Sequence, residues 1–167
     1  MAGSTVMRSV RSVGIAAKVG SGDAFEAFFA RVEPSLRHAL NATYGSELGR
    51  EATAEALAWA WEHRDRLDSL ERPVAYLYRV GQSRIRRRRV RLPFVRSEYR
   101  DPEVEPELME ALRALSGQQR VAVVLIHGYA WTMAEVAELL DVSVSTVQTH
   151  LERGLGRLRS QIGEEQT

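Results

Sequence analysis

Phe25, Phe28, Phe29, Val32, Leu36 and Leu40 recur at three- and four-residue steps, the spacing of one helical face. The pattern predicts a helix opening at Gly22 and Asp23. Pro34 falls inside it and is expected to kink or divide it, because proline has no N–H to donate and its ring crowds the preceding turn. A second helix is predicted over 47–63, with Leu48, Ala52, Ala56, Trp59 and Ala60 on its apolar stripe and Glu51 and Glu55 beside it. "RDRLDSLERP" reads as a polar loop. Pro73 then suits the first turn of a third helix, which carries Tyr76, Leu77, Val80 and Ile85 before it runs into "RRRR". From Leu92 to Pro106 the periodicity stops, and three prolines amid mixed charge predict a linker. Extended, it would reach roughly 50 Å, enough to hold two helical groups apart.

Periodicity resumes with a short helix through Leu108, Leu112 and Leu115. Ser116 with Gln119, and Thr132 with Glu135, form two capping-box signatures that mark helix starts. "QRVAVVLIHG" is expected to end at Gly128 as a C-terminal glycine cap. No strand-like alternation of useful length occurs, so the predicted fold class is all-α. The expected plan is a mobile leader over 1–22, a helical domain over 23–91, a flexible linker over 92–106, a second helical domain over 107–162 and a tail over 163–167.

"TMAEVAELLDVSVSTVQTHLERGLGRLR" is the most informative stretch. Val136, Ala137 and Leu140 are expected to be the buried side of one short helix, Ala137 being small where a second helix must cross closely. Asp141-Val142-Ser143 supplies a tight turn, aspartate tolerating the left-handed backbone often given to glycine. Val147 and Leu151 anchor the next helix, capped by Ser143 or Ser145. Two helices joined so briefly form a helix-turn-helix, whose second helix fits a major groove. Ser145, Thr146, Gln148, Thr149 and either Glu152 or Arg153 then face outward. Gln148 can pair with adenine, the hydroxyls can reach phosphates or base edges, and Arg153, Arg157 and Arg159 can reinforce the backbone contact.

The formal net charge of +1 conceals segregation. Between Arg79 and Arg100 nine arginines face the single acid Glu98, whereas acids gather at Glu47, Glu51 and Glu55 and again over 101–110. Two polar partners of opposite character are implied. Apolar content of 44% is ample for packed cores, and no cysteine is present, which removes disulfides and thiolate metal sites and fits a reducing, cytoplasmic compartment. No run is long and apolar enough for a membrane span. His38, His63, His127 and His150 lack metal-ligand spacing, and no nucleophile or phosphate-binding motif occurs, so neither enzyme, metal nor cofactor is expected. His127 and His150 border apolar faces and read as structural.

"LSGQQRVAVVLIHGYAWTMAEVAELLDVSVSTVQTHLERGLGRLR" resembles region 4 of the extracytoplasmic-function (ECF) group of bacterial RNA polymerase sigma factors, and "EATAEALAWAWEHRDRLDSLERPVAYLYRVGQSRIRRRR" is similar to their region 2. The resemblance implies that region 4 reads the −35 element through Ser143, Ser145, Thr146, Gln148, Thr149 and Arg153. It implies that region 2 docks on the polymerase clamp helices through Glu51, Glu55 and Trp59. It also makes residues 64–72, with Asp68, the loop that captures a flipped base, and sets Tyr76, Arg79, Gln82, Ser83, Arg86 and Arg87 along the opened −10 strand. Tyr76 and Tyr78 are candidate stacking partners for unpaired bases, although helical core packing accounts equally well for Tyr76. The arginine run would then face promoter phosphates.

Expected partners are core RNA polymerase (clamp helices and flap), promoter DNA, an anti-sigma factor and an activator, with no membrane. The family's usual "Asp-Leu-Val-Gln-Glu" is here Glu51-Ala52-Thr53-Ala54-Glu55, its Arg-Asn pair is Gln82-Ser83, and a typical lysine is Gln148. A divergent factor that depends on an activator would fit these changes. Two other readings are a non-sigma helix-turn-helix regulator with a helical partner-binding domain, and a protein that sequesters sigma regulators.

Overall fold

The computed structural model describes residues 22–91 and 104–164, so all of the predicted leader but Gly22, which opens α1, and most of the predicted linker lie outside the described residues. Every regular element among the described residues is helical. Helix α1 (Gly22–Tyr44) buries Phe25, Phe28, Val32, Leu36 and Leu40, as the spacing predicts, but leaves Phe29 exposed. It runs through Pro34 undivided. Pro34 and Ala30, whose carbonyl loses its helical partner to the proline, both lie on the exposed face, so water can satisfy that carbonyl.

Gly45 alone joins α1 to α2 (Ser46–Glu62), with φ of 85°, a conformation that glycine adopts without strain. At Gly49 a Cβ would stand 2.3 Å from Asn41 Oδ1 and 2.6 Å from its Cα, so glycine lets the two helices touch through their backbones. Fully buried Ala39, Ala42, Ala52, Ala56 and Ala60 extend this close crossing. The predicted loop after α2 is instead a 3-10 helix, Arg64–Ser69. Leu67 is buried beneath it, and short-range bonds from Arg66 N to His63 O (2.9 Å) and from Leu70 N to Leu67 O (3.1 Å) satisfy the backbone. Helix α3 (Pro73–Arg91) turns Leu77, Tyr78 and Ile85 inward.

Helix α4 (Pro106–Ala114) buries Met109, Ala111 and Leu112, while Leu108, expected on the inner stripe, is exposed. Both capping boxes form, opening α5 (Gly117–Val123) and α6 (Met133–Leu140). Gly128 is not the predicted cap. The chain widens into a π-helix, Val124–Gly128, with Tyr129 N donating to the carbonyls of Val124 and Leu125, and the left-handed residue is Ala130 at φ 56°. Helix α7 (Val144–Glu164) completes the fold.

Helices α1–α3 pack on one another, as do α4–α7, and the two groups meet where α1 lies against α5 and the π-helix and α3 lies against α6. Their apolar side chains form one contiguous cluster. Fully burying each Leu or Val in it contributes roughly 1.5–3 kcal/mol. Polar contacts join the same seam. Arg120 Nη2 donates to Thr43 O at 3.2 Å, and the His38 ring stacks on Tyr129 with centroids 4.0 Å apart. The separation that the linker's length would allow is therefore not the arrangement seen here, because both groups bury apolar surface against each other.

Candidate nucleic-acid interface

The helix-turn-helix is built as its residues dictate. Val136 and Ala137 of α6 are buried; Leu139, rather than the expected Leu140, is the third inward residue, and Leu140 is half-buried. Asp141 takes the left-handed conformation (φ 58°, ψ 48°), and Val142 N closes the turn by donating to Ala137 O at 3.1 Å. Of the two candidate caps, Ser143 is the one used: its Oγ accepts from Thr146 N at 3.1 Å. The same oxygen lies 2.9 Å from Ser145 Oγ and 2.8 Å from Thr146 Oγ1. Val147 and Leu151 point into the core.

The opposite face of α7 presents Ser145, Gln148, Thr149, Glu152 and Arg153 exposed, with Thr146 half-buried. Gln148 Nε2 donates to Glu152 Oε1 at 2.9 Å, so pairing with a base requires exchange of that bond. Arg157 turns back toward α5, its Nη1 3.5 Å from Gln119 Oε1, and so leaves the cationic flank expected of it.

A second polar face runs along α3. Arg79, Arg86 and Arg87 are exposed, and Gln82 and Ser83 are half-buried on the same side. Arg88 folds onto α2 and ion-pairs with Glu51, so the arginine run is not uniformly turned to solvent and Glu51 is engaged. Tyr78 is not available for base stacking. It is buried, lies 2.8 Å from Thr43 Oγ1, and has its phenol pushed up to about 12, by desolvation first and against that hydrogen bond.

Tyr76 is half-buried and tilted by 42° against Trp59, their centroids 5.3 Å apart, and Trp59 stacks on His63 at 4.3 Å. Trp59 thus joins the aromatic group beside α3 as well as the α2 stripe. Asp68 is exposed on the 3-10 helix. A cleft of about 310 Å³ lies between this helix, α3 and α6, lined by Leu70, Arg72, Tyr76, Arg79, Glu138 and Asp141 among others. Two ion pairs cross it: Arg79 Nη2 to Asp141 Oδ2 at 3.4 Å and Arg72 Nε to Glu138 Oε1 at 3.8 Å.

Glu55, one turn beyond Glu51 on α2, is exposed. Beside it an apolar groove of about 470 Å³ runs between α1 and α2, with Phe25, Phe29, Ala54, Leu57, Ala58 and Trp61 in its walls. Phe29, expected on the inner stripe of α1, is exposed here: it stands about 100° round the helix from Phe28, which is the buried one. His127, read as structural, is exposed, and His150 is half-buried. Among the described residues no group of three or more metal-ligating side chains is gathered, and no helix is long and apolar enough to cross a membrane.

Residues 106–158 match the family model for sigma-70, region 4. An RNA polymerase sigma-E factor of Streptomyces antibioticus is 40% identical over 55 residues, a stretch covering 33% of this chain and 31% of that protein. The chain thus spans about a third of the length of the curated relative it matches. Two solved structures share the fold over most of the chain at 22% identity. One is the sigma factor RpoE of Bartonella quintana in complex with the anti-sigma factor NepR (TM-score 0.60, 83% of this chain and 96% of that one). The other is CnrH in complex with the cytosolic domain of CnrY (TM-score 0.59, 87% and 91%). Residues 106–158 are thus matched in sequence to sigma-70, region 4, and the remaining described helices share the fold of these two structures.

Proposed function

We propose that this chain is a promoter-specific initiation factor, regulatory rather than catalytic. In this reading α1–α3 and α4–α7 are separate working domains. Region 4 reads a duplex −35 element through α7 and meets the polymerase flap, while region 2 holds the clamp helices through Glu51, Glu55 and Trp59. Tyr76, Arg79, Gln82, Ser83, Arg86 and Arg87 accompany the melted −10 strand, with Asp68 beside the captured base. The observation that carries the reading is the helix-turn-helix itself: the left-handed Asp141 turn and the Ser143 cap leave the polar face of α7 exposed within the stretch that matches region 4. Tethering both DNA contacts in one chain raises the effective concentration of each for its own element.

The fold relatives were captured with partner proteins, one of them an anti-sigma factor, which supports a comparable regulatory partner here. Ala54 in place of the family's glutamine and Gln82-Ser83 in place of Arg-Asn favour dependence on an activator. Run-off transcription over a genomic promoter library, with core polymerase plus or minus the chain, tests the reading, and co-elution with core is measured on the same preparation. Specific initiation is the expected outcome. Absence of both initiation and association would leave the non-sigma DNA-binding regulator as the better account.

A further inference from the structure

The cleft beside Tyr76 has cations on one wall and acids on the other. Arg72 is the residue before α3 and Arg79 stands about two turns into it; Glu138 and Asp141 come from α6 and the turn that leads into α7. All four side chains are more than half exposed, so the pairs lie at the surface and exchange readily with other charges. Asp141 occupies the turn's left-handed position, which places its carboxylate on α3 without any additional loop. Tyr76 lies between the two arginines and lines the same cleft. An unpaired strand needs this combination, a ring to stack on and guanidinium groups for its phosphates.

We infer that the acids of the helix-turn-helix act as an internal substitute for strand phosphates, so that α6 and the Asp141 turn hold the α3 strand site closed. This rests on the proposed strand-holding role of α3. Binding of a melted strand then requires Glu138 and Asp141 to leave Arg72 and Arg79, which separates α6 from α3. The exposed face of α7 is not part of the clasp, since Ser145, Gln148 and Thr149 point away from the core, so duplex recognition can precede strand capture. The fold thereby sets an order on the two contacts: duplex first, opened strand second.

The test uses the full chain, which has no cysteine of its own. In one arm Glu138→Gln and Asp141→Asn remove the acids, asparagine also tolerating the left-handed turn. Glu107→Gln with Glu110→Gln, exposed acids on α4, controls for the same change in net charge. Fluorescence anisotropy with a labelled single-stranded oligonucleotide should show affinity rising about three- to tenfold in the first variant and little in the control.

In the other arm Ser69→Cys and Glu138→Cys, on opposite walls of the cleft, are joined by a cleavable bis-maleimide. Strand binding should be lost on linking and regained on cleavage, while binding of a duplex library by α7 persists. Equal strand binding by linked and cleaved protein, or equal gains in charge variant and control, overturns the inference. So does failure of every form to bind the strand. Co-elution of the unmodified chain with core polymerase does not require the cleft to open, and it reports separately on whether the functional reading stands.

Discussion

The outward faces of α7 and α3 both carry side chains suited to nucleic acid, but they are presented differently. Gln148, Thr149 and Arg153 stand exposed on a helix whose other side is pinned by Val147 and Leu151, and the polar partners of Gln148 and Thr149 come from α7 itself. On α3, Arg79 is held by Asp141 of the opposite helical group, Arg88 is held by Glu51 of α2, and Tyr76 lies against Trp59. A face carried by one well-capped helix thus stays open, whereas a face to which several elements contribute can be covered by any of them; under the proposed function these are the duplex-reading and the strand-holding surface.

The largest effect is expected in the core that the two helical groups share. Leu125 is fully buried in the contiguous apolar cluster. Leu125→Ala should cost roughly 2–5 kcal/mol and shift a single urea transition as a unit. Two separated transitions, only one of them moved, would show that the groups fold independently.

Next in size is Arg86→Ala with Arg87→Ala. It should flatten the salt dependence of single-strand binding by about 1.4 in log–log slope, or about 25-fold in affinity over one decade of salt, and leave duplex preference alone. Gln148→Ala should do the converse: about 1.4 kcal/mol, a tenfold change, in discrimination at one upstream base pair, read by selection from a duplex library. If each substitution altered both kinds of binding, the division of labour between α3 and α7 would fall.

Ser143→Ala removes the cap at the start of α7 and should cost about 1 kcal/mol, with hydrogen exchange quickened in the first turn of that helix but not in α3. The smallest effect concerns pH. Burial, then the neighbouring Arg37, lowers the pKa of His38 below 6.5, against an opposing pull from Glu33. The unfolded chain therefore binds a proton that the folded chain resists, so stability is at its full value above about pH 6.5 and falls as pH drops toward the lowered folded value. Since His38 stacks on Tyr129, the urea midpoint should decline in mild acid, and His38→Gln should remove that decline.

Much of the local structure was legible from residue types. The two capping boxes, the Asp141 turn and the Val147 and Leu151 anchors depend on neighbours only a few positions away, and each forms as read. The misses depend on distant atoms. The helical run ends at Gly128 as read, but it ends as a π-helix capped by Tyr129 rather than by the glycine, and the Tyr129 ring meets His38 of α1. The segment after α2 looked like a polar loop because one buried residue, Leu67, gives no periodicity. Tyr78 looked as free to stack on a base as Tyr76 until α1 supplied Thr43.

The sequence by itself determined the helical class, most helix positions, the helix-turn-helix and the polar identity of the α3 and α7 faces, because periodicity, caps and turn chemistry act over a few residues. Only the tertiary structure decided that α4–α7 lie against α1–α3, that Arg79 faces Asp141 and Arg88 faces Glu51, and that an apolar groove flanks Trp61. Those outcomes turn on which exposed charges and apolar surfaces meet when helices far apart in the chain pack together, and no local pattern encodes that choice.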